Sequence, residues 1–373
     1  MEKRIYTYDC TLRDGEQGEG ISLSLEDKLR IVQRLDALGV DFVEGGFPAS
    51  NPKDIEFFRR VRALPLEHAR IAAFGSTCRK GVAAVDDAGL ADLLESGAPV
   101  VTIVGKTWDA QVTRALQTSL EENLRMIADS VAYLKQQGRF VVFDAEHFFD
   151  GYKANPAYAL ECVRAASEAG ADSIDLCETN GGALPHEVAA AVSAVTKALP
   201  EQQVGIHCHN DGGLAVADSI AAVQAGAKQV QGTFLGFGER CGNANLSTII
   251  CNLQLKRGYE CIPPDKLKDI YESAAAIADT ANMAIPANQP YVGMNAFAHK
   301  AGMHADGVLK YSSSFEHIDP EAIGNKRKFL LSEISGKSAI YDKLKNYFPD
   351  LDKNGKEMGE IVAALKERAL FGY

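Results

Sequence analysis

The stretch Ile5-Tyr6-Thr7-Tyr8-Asp9-Cys10-Thr11-Leu12-Arg13-Asp14-Gly15, near the start of the chain, joins a short strand to a polar loop. Residues 5–8 alternate in the manner of a strand, and the glycine that follows marks a loop. The loop sets a guanidinium directly beside a carboxylate. An arginine always carries its charge and can polarise an oxygen, and an aspartate can hold a divalent cation. A surface turn with an ion pair fits this stretch equally well, so the rest of the chain must decide.

Beyond this stretch, short strand-like runs alternate with longer runs of helical periodicity. Further strands are predicted at residues 40–45, 71–74, 100–104, 140–144, 173–176, 204–207 and 229–232, and helices at 25–38, from Pro52, and at 84–95, 119–136, 156–168, 185–199, 213–225 and 244–256. Eight strand–helix units in roughly 255 residues predict an α/β fold, a (β/α)8 TIM barrel with its active site at the carboxyl ends of the strands. An open doubly wound sheet is the alternative, but it usually has fewer strands and a phosphate loop after the first. No G-x-G-x-x-G or Walker loop follows any strand here.

From Pro263 onward the strand–helix alternation stops. Helices are predicted at residues 267–284, 319–323, 332–347 and 354–368, with a polar segment at 292–311. We therefore predict a catalytic barrel over residues 1–262 and small, mainly helical C-terminal subdomains over residues 263–373.

Composition narrows the class of protein. The 373 residues carry a formal net charge of −11, which argues against a nucleic-acid or anionic-membrane partner. No apolar run approaches the ~18 residues of a membrane span, and the polar N-terminus does not resemble a signal peptide. The eight cysteines are scattered without a C-x-x-C pair, which suits reduced thiols. These features predict a soluble, cytoplasmic protein.

The segment His207-Cys208-His209 follows the seventh predicted strand. Residues two apart in a strand point to the same face, so the two imidazoles should lie side by side. With Asp14 at the same end of the barrel, they would form a mixed nitrogen and oxygen site with open positions, as in catalytic metal sites. Zn²⁺, Mn²⁺ and Mg²⁺ all fit these ligand types. Two ordinary core or surface histidines are the alternative.

Other polar residues follow the predicted strands. Glu146 is a candidate base or orienting group, although a structural salt bridge explains it equally well. Asn243 would place an amide oxygen near the metal. His304 lies outside the predicted barrel, and the residue pattern alone gives it no role.

Several motifs together resemble one family. They are residues 9–15, 43–54, 144–153, 176–182, 207–211, 238–246, 296–304 and 332–338. They resemble the metal-dependent acyltransferase and lyase barrels, a group that includes the 2-isopropylmalate, homocitrate and citramalate synthases. The resemblance covers nearly the whole chain and is greatest to the citramalate synthases.

The resemblance implies a Claisen-type condensation of acetyl-CoA with a 2-oxo acid, followed by thioester hydrolysis. For a citramalate synthase the acid is pyruvate, and the product serves isoleucine and branched-chain amino acid biosynthesis. It also implies a homodimer in which the helical subdomains reach over the partner's active site. The alternatives are a 2-isopropylmalate synthase or a homocitrate synthase, each acting on another 2-oxo acid. A hydroxymethylglutaryl-CoA lyase-like enzyme fits less well. Those lyases have a Gly-Cys-Pro motif, whereas here Cys241 is followed by Gly242-Asn243.

The resemblance also assigns roles to individual residues. The metal ligands would be Asp14, His207 and His209, with Asn243 close by. Arg13 would stabilise the alkoxide that develops on the keto oxygen. Thr179 would bind the substrate carboxylate. Glu146 and His304 would share the proton transfers, without an assignment of which one deprotonates the acetyl methyl group.

The chain departs from the family pattern at three places. Glu178 replaces the usual aspartate next to Thr179, and Phe315 replaces a tyrosine, which removes a hydroxyl. Relatives usually continue into a C-terminal domain that binds the end-product amino acid, whereas this sequence ends at Tyr373. We therefore expect no feedback inhibition by isoleucine or leucine.

Overall fold

A computed structural model describes residues 3–48, 52–300, 307–330, 337–345 and 347–369. Eight parallel strands form a closed barrel in sequence order, each pairing with the next and the eighth with the first. They are β1 (Tyr6–Asp9), β2 (Phe42–Gly46), β3 (Arg70–Ser76), β4 (Val100–Lys106), β5 (Phe140–Glu146), β6 (Ser173–Glu178), β7 (Gln203–Cys208) and β8 (Gln229–Gly232). The predicted (β/α)8 barrel is therefore confirmed.

Helices alternate with the strands along the barrel. They are α1 (Leu25–Leu38), α2 (Pro52–Val61), α3 (Ala88–Glu95), α4 (Leu120–Gln136), α5 (Phe148–Ala154), α6 (Pro156–Glu168), α7 (Pro185–Ala198), α8 (Ala215–Gln224) and α9 (Leu246–Arg257), followed by α10 (Ile270–Thr280). Local sequence sets the bounds of α1. Ser24 and Asp27 form a reciprocal capping box at its start, and Gly39 ends it in the left-handed conformation with φ of 85°.

Helix α5 was not predicted from the sequence. It is seven residues long and ends directly before the Asn155 cap of α6, so its short apolar pattern runs into that of the next helix. His147, between β5 and α5, adopts φ of 56°, a conformation that few residues other than glycine take. This sharp turn sends the chain from the strand end straight into a helix.

The chain divides into two compact units, Met1–Lys266 with Ser273–Ala284, and Leu267–Glu272 with Ile285–Tyr373. The second unit contains the parallel pair β9 (Ala298–His299) and β10 (Lys328–Phe329), and helices α11 (Lys337–Leu344) and α12 (Lys356–Ala369). Part of the helix predicted at 332–347 lies outside the described residues. The boundary after residue 262 stays a prediction. Within the described ranges, no helix combines the length and apolar character that a membrane span needs.

Asp218 on α8 leads to a pH-dependent stability prediction. Its side chain is buried, and its Oδ1 atom has no hydrogen-bond partner. Burial, together with the charges of Glu178 and Glu187, raises the pKa of Asp218 to about 7. In the unfolded chain the pKa is about 4, so the folded state holds the proton more tightly and loses stability as the pH rises from about 4 to about 7.

We expect Asp218→Asn to remove this loss, because the amide does not titrate. The gain in unfolding free energy over wild type should be larger at pH 8 than at pH 5 by roughly 2 kcal/mol. Urea unfolding of both proteins at the two pH values measures it. An equal gain at both values would show that Asp218 does not hold a proton in the folded state.

Candidate metal centre and active site

Backbone hydrogen bonds hold the loop after β1 in a compact turn. The carbonyl oxygen of Cys10 accepts hydrogen bonds from the amides of Arg13, Asp14 and Gly15, at 3.2, 2.9 and 3.0 Å. The Asp9 carboxylate accepts from the backbone amide of Phe234 at 3.1 Å, which ties this loop to the segment after β8. Arg13 and Asp14 are thus set in place by the backbone.

The Arg13 guanidinium is held on three sides. Its Nε donates to Glu44 Oε1 at 2.5 Å, its Nη1 lies 3.4 Å from Asp14 Oδ1, and its plane lies 3.8 Å from the centre of the Phe74 ring. Glu44 is fully buried and also accepts from the Tyr8 hydroxyl at 2.7 Å. Burial lowers the pKa of Arg13, but the charges of Asp14 and Glu44 outweigh it and keep the group charged. Arg13 is therefore a fixed positive charge.

Asp14, His207 and His209 form a cluster that could hold a metal ion. All three are buried, and one ligand atom from each lies within 4.8 Å of the others. Asp14 Oδ2 is 3.2 Å from His207 Nε2 and 4.0 Å from His209 Nε2. The structure thus brings together the three ligands predicted from the sequence. A carboxylate with two imidazoles fits a divalent transition metal.

The electrostatics of the cluster favour cation binding. Burial raises the pKa of Asp14, but the Arg13 charge and the His207 hydrogen bond outweigh it and hold that pKa well below its usual range. Burial and the neighbouring His207 lower the pKa of His209 to about 4. Asp14 is therefore anionic and His209 neutral near pH 7, which are the forms that bind metals. Burial lowers the pKa of His207, but the hydrogen bond and charge of Asp14 outweigh it and raise that pKa, so a cation must displace a proton from this imidazole.

Asn243 lies beside the cluster because the loop after β8 folds back on β7. Its backbone forms an antiparallel bridge with His209, and a Cβ atom at Gly238 would overlap the Asn243 amide oxygen. The amide nitrogen donates to Asp14 Oδ2 at 2.7 Å and lies 3.3 Å from His207 Nε2, whereas the buried Oδ1 has no hydrogen-bond partner among the described residues. The nitrogen, not the oxygen expected of a metal ligand, therefore faces the cluster.

A cavity of about 270 Å³ opens onto the cluster. It is lined by residues from the ends of seven strands or the loops after them: Arg13, Asp14, Gln17, Phe74, Val104, Asp144, Glu146, Cys177, Thr179, His207, His209, Glu239 and Arg240. Thr179 Oγ1 accepts from the backbone amide of His147 at 2.9 Å, so its own proton can be donated to a ligand. Glu146 forms an ion pair with Lys106.

His304 lies outside the described residues. Glu178, which stood out in the sequence, does not line this cavity. It points away from the barrel interior, because side chains alternate along β6 and its neighbours Cys177 and Thr179 point inward. It lines a separate cavity of about 310 Å³ beside α5 and α7 instead. The longer side chain at position 178 therefore does not enter the candidate site.

Other residues of the site were missed from the sequence. Phe74, under the guanidinium, and Lys106, beside Glu146, carry no motif that marks them. Gln231, which contacts His207, is one of two glutamines two residues apart on β8. That spacing was the available signal, because paired polar residues on one face of a buried strand need partners inside the barrel.

The cysteines are all free, and each except Cys241 is buried.

Comparisons with family models, curated proteins and solved structures all identify similar proteins. Residues 4–277 match the HMGL-like family model, and residues 291–370 match the model of the homocitrate synthase post-HMGL domain. The (R)-citramalate synthase of Aquifex aeolicus is 50% identical over 100% of this chain and 71% of its own length. That of Synechocystis sp. is 48% identical over 99% and 69%. The crystal structure of Bacillus subtilis HMG-CoA lyase matches with a TM-score of 0.65 at 19% identity, over 77% of this chain and 97% of the lyase, and supports the fold alone.

Proposed function

The chain belongs to the HMGL-like family and, within it, to the (R)-citramalate synthases, and we propose that it condenses acetyl-CoA with pyruvate to form (R)-citramalate and CoA. The observation that carries this proposal is the placement of Arg13 against the Asp14, His207 and His209 cluster in one small cavity. A cation site next to a fixed guanidinium suits a small acid whose keto oxygen gains negative charge during the reaction.

We propose that Asp14, His207 and His209 hold a divalent cation, Zn²⁺, Mn²⁺ or Mg²⁺. A cation bound there would act as a Lewis acid towards the keto group of a 2-oxo acid. Asn243 is the proposed neighbouring ligand, since a half-turn of its amide would bring the unpartnered Oδ1 to the cluster. Such a turn would also satisfy a buried acceptor that now lacks a partner.

The side chains around the metal cluster suggest how the protein would bind the 2-oxo acid and stabilise its transition state. Arg13 would donate to the oxygen on which negative charge develops, where a fixed donor contributes most. The Thr179 hydroxyl would donate to the substrate carboxylate. The Glu44 contact and the Phe74 ring keep the guanidinium in one orientation, so little reorganisation accompanies the reaction.

Glu146 is the proposed proton-transfer group at the cavity wall, together with His304. The reaction requires a proton to leave the acetyl methyl group, the resulting carbon to attack the keto carbon, and water then to hydrolyse the thioester. Glu146 lines the cavity and forms an ion pair with Lys106, and a carboxylate in that position can accept a proton. We leave open which of the two groups takes the methyl proton.

Release of CoA thiol from acetyl-CoA tests the proposal. The assay would compare pyruvate, glyoxylate, 2-oxobutyrate, 2-oxoisovalerate and 2-oxoglutarate, each with and without a chelator. We expect the highest kcat/KM with pyruvate and loss of release with the chelator. Release with none of the acids would reject the synthase function, and release with 2-oxoisovalerate alone would change the assignment to 2-isopropylmalate synthase.

The lyase alternative has a separate test. Cleavage of hydroxymethylglutaryl-CoA by the purified protein, without condensation activity, would favour it over the synthase. The family resemblance also supports a homodimer, which light scattering of the purified protein would detect as twice the chain mass.

A further inference from the structure

The pairing of β7 with β8 sets a glutamine beside one of the candidate metal ligands. In the parallel register His207 lies directly opposite Gln231, and both side chains are buried inside the barrel. Gln229, two residues earlier on β8, faces the same interior one layer below. Two buried amides on one strand need specific partners, because a buried amide without hydrogen bonds destabilises the folded state.

Gln231 bridges the imidazole of His207 to a carboxyl group. Its Nε2 donates to Asp144 Oδ1 at 2.9 Å, and its Oε1 lies 2.9 Å from His207 Nδ1. Asp144 and Asp175 are themselves adjacent across β5 and β6. Opposite Asp175, Gly205 leaves the necessary space, since a Cβ atom there would overlap the carboxyl group.

These bonds determine which way the amide of Gln231 points. The amide nitrogen donates to Asp144, and the amide oxygen also accepts from the Cys10 thiol at 3.9 Å. The oxygen therefore faces His207, and an oxygen there accepts only if Nδ1 of the imidazole carries a proton. Nε2 is then the ring nitrogen left for a cation, and it lies 3.2 Å from Asp14 Oδ2.

His209 provides an internal contrast. Its Nδ1 atom is buried and has no hydrogen-bond partner. Within the described residues, the protein therefore fixes the proton of His207 by a hydrogen bond but not that of His209. Metal-binding histidines generally donate their other ring N–H to a fixed acceptor, and loss of that acceptor weakens metal binding.

We propose that Gln231, anchored by Asp144, is a positioning residue that fixes His207 as the Nδ1–H tautomer and so presents Nε2 to a divalent cation. The inference rests on the metal centre of the proposed function. Gln231 touches neither the cavity nor the reacting groups, so its effect passes through His207 alone.

Two substitutions on the same strand test this inference. Gln231→Met removes the acceptor beside His207 at similar volume. Gln229→Met is the matched control, since Gln229 is equally buried and donates to Asp175 at 2.7 Å but does not contact His207. Competition with a chromophoric chelator would measure the dissociation constants for Zn²⁺ and Mn²⁺. We expect Gln231→Met to bind metal about 10–100-fold more weakly than wild type, and Gln229→Met to bind within about twofold of it.

A double variant keeps the test valid if Gln231→Met fails to fold. The double variant Gln231→Glu with Asp144→Asn preserves the net charge. The amide at position 144 would donate to the carboxylate at position 231, and the other oxygen of that carboxylate would accept from His207 Nδ1. The acceptor beside His207 therefore remains. We expect this pair to bind metal at least as tightly as wild type. Nitrogen-15 NMR of the zinc-loaded wild type should show the His207 proton on Nδ1 and the metal on Nε2.

The outcomes separate the inference from the proposed function. If wild type binds no divalent cation, the proposed metal centre itself is wrong. If wild type binds a cation and Gln231→Met binds it equally well, or no more weakly than Gln229→Met, the positioning role is wrong and the metal centre stands. Binding of Zn²⁺ by Nδ1 of His207 in the zinc-loaded protein would also overturn the inference.

Discussion

Replacing Arg13 with alanine should lower kcat by about 10²–10³-fold while changing KM for the 2-oxo acid much less, because the guanidinium contributes most as negative charge develops. The Glu44 contact and the Phe74 ring fix the group, so the protein contains a donor that is already oriented. Steady-state kinetics with varied pyruvate at saturating acetyl-CoA and metal measure both constants.

Arg70 is the matched control for this prediction. Its guanidinium also lies over aromatic rings, 4.5 Å from the Phe140 centre and 5.5 Å from that of Phe42, but it begins β3 at the amino end of the barrel. We expect Arg70→Ala to leave kcat within about twofold of wild type, since a surface substitution mainly alters stability. A rise in KM with unchanged kcat in Arg13→Ala would contradict the role in the transition state.

Asp14→Asn should remove metal binding and activity together. The substitution keeps the shape of the side chain but removes the anionic ligand from a set whose other two members are neutral imidazoles. Loss of an outer contact to a metal ligand already costs about 10–100-fold in affinity, so loss of a ligand itself should cost more than about 100-fold. Metal dissociation constants and kcat measured in excess metal test this.

Asp41→Asn controls for the loss of a partly buried, paired carboxylate. Asp41 pairs with Arg4 and accepts from the Thr7 amide at 2.8 Å, at the amino end of the barrel. We expect that variant to lose stability and to keep its metal affinity. Should Asp14→Asn bind metal as tightly as wild type yet remain inactive, Asp14 would act on the substrate and not as a ligand.

The sequence predicted the barrel well because its strands are buried on both faces and form short apolar runs between turn signals. Prediction from the sequence is less accurate where the structure depends on contacts between neighbouring segments of the chain. Strands β3 and β4 continue to Ser76 and Lys106, past the apolar runs, because pairing with the neighbouring strand extends them. Helix α5 was missed because it is too short for periodicity to separate it from α6.

In the candidate site, too, local features were predictable from the sequence and long-range contacts were not. His207 and His209 were found because their spacing of two is a local property of a strand, and Asp14 because it follows a strand end. The Gln231 contact depends on the register between β7 and β8, and the orientation of the Asn243 amide on a loop that folds back by hydrogen bonds. Those are long-range features. The outward position of Glu178 was accessible from alternation on β6, once the inward position of Thr179 was known.

The most direct test of the proposed reaction is product analysis with wild-type protein, acetyl-CoA and pyruvate, before metal removal, after it, and after reloading. We predict that (R)-citramalate and CoA form in equal amounts, that both cease when the metal is removed, and that both return when it is restored. Release of CoA without citramalate, or citramalate formation unaffected by metal removal, would contradict the assignment of Arg13, Asp14, His207 and His209 to a metal-dependent condensation.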